Sequence, residues 1–196
     1  QFGRLWNQTK NSVCMIHSVR FTCVLDTNVI YPLWIRDLLL WFAHHDLYTP
    51  KWSKHICEEW INVMRRKGIP EDEATKRAEK INQAFPDALI KNYEPLIEML
   101  KLPDTSDKHV LAAAIKTNAN LIVTNNLKDF PEKYLSDFGL MAKCADDFFT
   151  DTIDLNQETG VRAFKDLVLN KRNPPYDEFQ VLDIFRKNGL KETANY

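Results

Sequence analysis

The sequence predicts an α/β fold: a three-layer α/β/α domain on a central parallel sheet, with a helical appendage at its C-terminal end. Phe21 to Leu25 and Leu121 to Val123 are short apolar runs that break abruptly onto polar residues, as strands buried on both faces do. Amphipathic helical patterns separate such runs, and this alternation belongs to parallel sheets with helical crossovers. Beyond Asp151 apolar residues recur at helical spacing without a further strand pattern.

Gln1 to Cys14 is polar, lacks apolar periodicity and precedes Met15, so it reads as an unstructured arm or a cloning remnant. The expected organisation is therefore an arm over 1–14, a catalytic-type domain over 15–150 and an appendage over 151–196. After the first strand, Tyr31-Pro32 marks a turn, and Trp34 to His45 forms a helix with Leu38, Leu39 and Phe42 inward. Ser53 caps a second helix whose stripe is Ile56, Trp60, Val63 and Met64; basic residues and Gly68 end it. Glu71 to Phe85 closes an αα-hairpin with it. Asp87 to Ile90 is a short strand, Glu94 to Leu100 a short helix, and Asp107 leads into an alanine-rich helix capped by Asp104 or Ser106. Pro131 to Phe138 makes another helix and Gly139 to Lys143 returns to the sheet. In the appendage, Val161, Phe164, Leu167 and Val168 share one helix face, and Phe179, Leu182, Ile184 and Phe185 line a second helix. Two helices of about 40 residues cannot bury a core alone, so they should pack on the domain or on a partner.

Composition narrows the function. With 196 residues, 44% of them hydrophobic and 27% charged, the chain can bury a core and is not a disordered sequence. A net charge of -1 gives no global attraction to nucleic acid, so any such binding must come from local patches. No membrane span or signal peptide is visible, and Cys14, Cys23, Cys57 and Cys144 lack paired zinc-type spacing, which favours reduced thiols in the cytoplasm.

The chemistry lies in carboxylates. Asp26 falls at the carboxyl end of a buried strand, where open parallel sheets bind ligands; it can also cap the next helix. Glu59 lies on the edge of its helix's apolar stripe and faces the core or a cleft, whereas Glu58 points to water. Asp107 stands on the buried face at the start of the alanine-rich helix, and Asp129 follows the second strong strand. His109, two residues past Asp107, should turn away as a solvent or capping histidine. Gathered together, these acids would repel one another unless a cation neutralised them, and an all-oxygen set suits Mg²⁺ or Mn²⁺.

Four ordered motifs carry a family resemblance: Leu25-Asp26-Thr27-Asn28, Trp52-Ser53 through Glu59, Asp107 leading into His109 to Ala114, and Val123-Thr124-Asn125-Asn126 with Asp129-Phe130-Pro131. Over roughly residues 20 to 150 the chain resembles a PIN domain, the ribonuclease fold of VapC-type toxins, in the branch with a longer C-terminal region. The resemblance implies metal-dependent RNA hydrolysis with 5′-phosphate products. It implies Asp26, Glu59, Asp107 and Asp129 as metal ligands and Asn28, Thr124, Asn126 and Asp104 as supporting residues. It also implies a small antitoxin as partner, with a homodimer left open. Arg36 is placed to meet a phosphate or to form a surface salt bridge. The chain departs from the family where Asn126 stands two residues after Thr124 in place of an acid; either Asp129 or Asn126 completes the set. Alternative readings are a HAD-type phosphatase, suggested by Asp26-x-Asn28 but lacking its second acid, and a non-catalytic RNA- or protein-binding module.

Overall fold

The computed structural model describes residues 21–196; the expected arm over 1–14, with Cys14, lies outside the described residues. Strand β1 (Thr22–Leu25) is followed by a one-turn helix α1 (Thr27–Ile30) and then α2 (Leu33–His44), β2 (Thr49–Ser53), α3 (Lys54–Arg66) and α4 (Glu71–Ala84). Strand β3 (Leu89–Ile90), α5 (Glu94–Ile97), α6 (Lys108–Lys116), β4 (Leu121–Val123), α7 (Glu132–Ser136) and β5 (Met141–Lys143) complete the sheet region. Three helices follow: α8 (Ala145–Leu155), α9 (Gln157–Asn170) and α10 (Glu178–Lys187).

The five strands run in the order β3-β2-β1-β4-β5, and every pairing is parallel. Helices flank this sheet in the expected three layers. Strand order reverses between β1 and β4, and such a switch point opens a crevice at the carboxyl ends of its two strands. Asp26 leaves β1 there and Thr124 leaves β4; the Asp26 N–H donates to the Val123 carbonyl at 3.1 Å, so the two exits are neighbours. Alanines 112, 113 and 114 are fully buried, and their small side chains let α6 lie close to the sheet.

Strand β2 has no counterpart in the sequence reading, because Thr49-Pro50-Lys51 interrupts any apolar run. Thr49 N donates to Phe21 O, whereas Trp52 N donates to Ala88 O, so alternate residues bond to opposite neighbours. Pro50 therefore turns its nitrogen toward the β3 side, ahead of the point where the two-residue β3 begins, and no ladder bond is lost.

Helix α8 runs unbroken through positions 150 and 151. Phe148 and Phe149 on it are buried beside Tyr48 and Phe42. Helix α9 packs on α2, with Leu167 fully buried, the Lys171–Asp37 ion pair, and His45 Nε2 at 2.8 Å from Asp166 Oδ2. On α10 the inward stripe is Val181 and Phe185, while Phe179 is 79% exposed, a correction to the stripe expected there. Phe179 lies in the first turn, where the Asp177–Gln180 capping box fixes the helix phase. No helix among the described residues is long and apolar enough to cross a membrane.

Candidate metal centre

Asp26 is 5% exposed and caps α1. Its Oδ1 accepts from Thr27 N at 2.6 Å, and its Oδ2 accepts from Asn28 Nδ2 at 2.6 Å and Thr124 Oγ1 at 2.7 Å. Burial raises its carboxyl above the ordinary range and the charge of Glu59 adds to this, against the bonds from Thr124 and Thr27. Asn28 also accepts from Asn125 N through Oδ1, and Asn125 Oδ1 accepts from Ala145 N, so the β4 exit is tied to the start of α8.

Glu59 projects from α3 toward the same crevice, and the exposed Glu58 pairs with Lys54 at 3.2 Å. Both Glu59 oxygens are engaged: Oε2 accepts from Thr27 Oγ1 at 2.5 Å, and Oε1 lies 2.9 Å from His109 Nε2. Burial pushes this carboxyl up, but the bonds from His109 and Thr27 outweigh it and hold Glu59 below its usual value. His109 is only 8% exposed, which corrects the expectation of a solvent or capping residue. Asp107 is the cap residue of α6 and the end of a 3-10 turn, not a member of the helix, so helical phase does not carry from one to the other.

Among the described residues, Asp104, Asp107 and Asp129 form an acid group, each with an oxygen within 4.8 Å of the others. Asp104 thus enters the group as a full member. Its Oδ1 accepts from Ser106 N at 2.8 Å and Ser106 Oγ at 2.7 Å, which shapes the turn that brings Asp107 in. Asp107 Oδ2 is buried without a partner among the described residues. Burial and then the charges of Asp26, Asp104 and Asp129 push Asp107 up to about 6. Three convergent carboxylates, one with an orphaned oxygen and a displaced pKa, fit a hard divalent cation. Asn126 donates through Nδ2 to Asp129 Oδ2 and through its backbone N to Thr124 Oγ1 at 3.1 Å. Asn126 therefore orients Asp129, and the charge at this corner comes from Asp129.

Arg36 is half-buried and held within the protein, its Nε 3.7 Å from Asp37 Oδ1. Its Nη1 donates to the Ile30 and Tyr31 carbonyls at 3.2 and 3.4 Å, and its guanidinium lies 5.0 Å from the Trp60 ring centroid. Of the basic residues ending α3, Arg65 pairs with Glu71 at 3.4 Å. Cys23, Cys57 and Cys144 are free thiols.

The fold and this crevice define a doubly wound α/β protein with carboxylates gathered near its switch point. The chain belongs to the PIN domain family, which it matches over residues 22–128, more than half its length. Residues 145–196 match a second family, the VapC50 C-terminal domain. A relative from Mycobacterium tuberculosis (strain ATCC 25618 / H37Rv) named "Putative ribonuclease VapC50" is 39% identical over 77 residues, 39% of this chain and 46% of the relative. The match thus spans about half of that protein. No solved structure matches the chain.

If Asp129 is the carboxylate at this corner, Asp129→Asn should weaken apparent Mn²⁺ affinity more than Asn126→Ala does, because only the former removes a charge from the cation's surroundings. Metal titration followed by melting temperature gives the order; the reverse order would make Asn126 the ligand.

Proposed function

We propose that the chain is a metal-dependent endoribonuclease, the toxin of a VapBC-type pair, acting in the cytoplasm on single RNA phosphodiester bonds. The observation that carries this reading is the Asp104, Asp107 and Asp129 group, in which Asp107 has a buried, unpartnered Oδ2. Family membership and the name of the relative support the substrate class.

Asp104, Asp107 and Asp129 would hold Mg²⁺ or Mn²⁺, with Asp26 and Glu59 completing the negative field around it. A bound divalent cation supplies an activated water and neutralises charge that develops on the scissile phosphate and leaving oxygen. The chain's own part is to keep its acids converged. Thr27, Asn28 and Thr124 fix Asp26, Asn126 fixes Asp129, and the Asp104 turn presents Asp107. Products carry a 5′ phosphate in this reading, and a small antitoxin covers the groove. Asn28 donates to Asp26 where a HAD-type phosphatase needs a second acid, so that alternative gains nothing from the geometry.

The test is RNA cleavage by the full chain in millimolar Mn²⁺ and in EDTA, with the melting temperature read beside it. Cleavage should appear with Mn²⁺ and vanish in EDTA, and Mn²⁺ at about 100 times its dissociation constant should stabilise the fold by about 2.7 kcal/mol. A melting temperature indifferent to Mn²⁺, together with no cleavage, would overturn the reading.

A further inference from the structure

We infer that His109 is a positioning residue for the proposed hydrolysis, donating from Nε2 to Glu59 so that this carboxylate stays aimed into the acid crevice. The inference rests on the nuclease reading but is drawn from a separate set of contacts.

Glu59 is a long side chain at a half-open position, its side chain 41% exposed, and left alone it would sample several rotamers toward water. Two anchors prevent this. Thr27 Oγ1 holds Oε2 from the first residue of α1, and His109 Nε2 holds Oε1 from the first turn of α6. The three groups come from three different elements, so the brace ties α3, α1 and α6 together at the carboxyl edge of the sheet.

An ionised carboxylate only accepts hydrogen bonds, so Nε2 carries the proton that faces Glu59, and in the neutral ring Nδ1 is then the acceptor. That Nδ1 is buried and has no partner among the described residues. An apolar side chain of similar volume would leave no such atom, so packing alone does not call for an imidazole here. The use of the ring lies in Nε2. Beside it lies His55, whose ring centroid is 5.3 Å away and whose Nδ1 lies 2.6 Å from the hydroxyl of the buried Tyr93. The arrangement is that of an outer residue that fixes a carboxylate at a metal centre without touching the reacting atoms.

Three substitutions in the full chain test this by RNA cleavage in Mn²⁺. His109→Leu and His109→Asn should lower kcat roughly 10–100-fold with KM little changed. His109→Gln should recover most of the loss, because a glutamine amide reaches the place of Nε2, whereas an asparagine amide reaches only that of Nδ1. Recovery by Gln but not Asn is a result that simple filling of space would not give. If Gln is no better than Leu in a chain whose wild type is active, the proposal is overturned. A second readout needs neither metal nor RNA. ¹⁵N NMR of the ring in EDTA should show the Nε2–H tautomer, with shifts that move on Glu59→Gln. An Nδ1–H tautomer, or a ring indifferent to Glu59→Gln, overturns the proposal directly. A wild type that cleaves no RNA while its ring shows this tautomer and coupling would overturn the nuclease reading and leave the brace standing.

Discussion

Asp107→Asn should reduce RNA cleavage by at least roughly 10³-fold while making the metal-free protein more stable at neutral pH. Both effects come from one side chain. Asp107 brings a buried, unpartnered oxygen to the acid group, so replacing it removes a charge from the proposed cation's cage. Without a cation the same charge is a burden, because burial and the neighbouring Asp26, Asp104 and Asp129 raise the folded pKa to about 6 from 3.8. For a carboxyl raised in this way, the stabilising contribution is complete below about pH 3.8 and is lost as pH climbs through about 6. At pH 7 the apo wild type therefore carries a penalty that the amide lacks. Asp107 is only half-buried, and solvent screening keeps this penalty near ~1 kcal/mol. A chain of this size should then show a melting temperature in EDTA higher by roughly 2–4 °C. In saturating Mn²⁺ the order should invert, the wild type gaining stability and the variant gaining little. Glu58→Gln is the control, since Glu58 is exposed and only pairs with Lys54. A variant that keeps its Mn²⁺ response, or a control that loses activity equally, would remove Asp107 from the centre of the site.

Much of this arrangement is legible in the sequence, and the reasons differ by residue. Asp26 and Thr124 follow from one rule: an apolar run ending on a polar residue marks a carboxyl edge, and two such edges meet at a switch point. Glu59 against Glu58 follows from helical phase, because α3 carries a clean stripe from Ile56 to Met64. The same argument fails at His109 because Asp107 stands before the helix begins. Its partner Glu59 also lies 50 residues away, a separation that local periodicity does not see. A usable signal was present: a histidine in the first turn of a helix that starts at the carboxyl edge is placed to face the site. Asp104 reads from sequence as a cap and is a cap, yet the tight turn it makes also brings its own carboxylate beside Asp107. Arg36 reads as available, but the carbonyls of Ile30 and Tyr31 and the face of Trp60 are brought to it only by tertiary packing. Strand β2 is hidden because its proline is tolerated by the shortness of β3, a fact about a neighbouring strand.

Phe185→Ala should destabilise the whole chain by about 3–5 kcal/mol, in a single cooperative transition, with little change in cleavage per folded molecule. Phe185 is 1% exposed and meets the edges of Trp34 on α2 and Phe164 on α9, so its removal opens a cavity between the C-terminal helices and the sheet domain. The second tie is polar. Asp146, in the first turn of α8, accepts from Glu192 N and Thr193 N at 3.0 and 2.9 Å and from Thr193 Oγ1 at 2.6 Å, which clamps the chain after α10 to the helix after β5. With α9 also seated on α2, α8 to α10 share one core with the sheet, and unfolding them would strip apolar surface from Leu38 and Phe42. The loss corresponds to a drop of roughly 10 °C in melting temperature for a chain of this size. The acid crevice lies at the carboxyl ends of β1 and β4, and the hydrogen-bond partners of Asp26, Glu59 and Asp129 come from the sheet domain, so activity normalised to folded protein should hold. Calorimetry and circular dichroism at 222 nm check the transition, and RNA cleavage in Mn²⁺ checks the site. Two resolved transitions would mean that the C-terminal helices fold as a separate unit, and a loss of activity beyond the unfolded fraction would assign them a part in holding RNA.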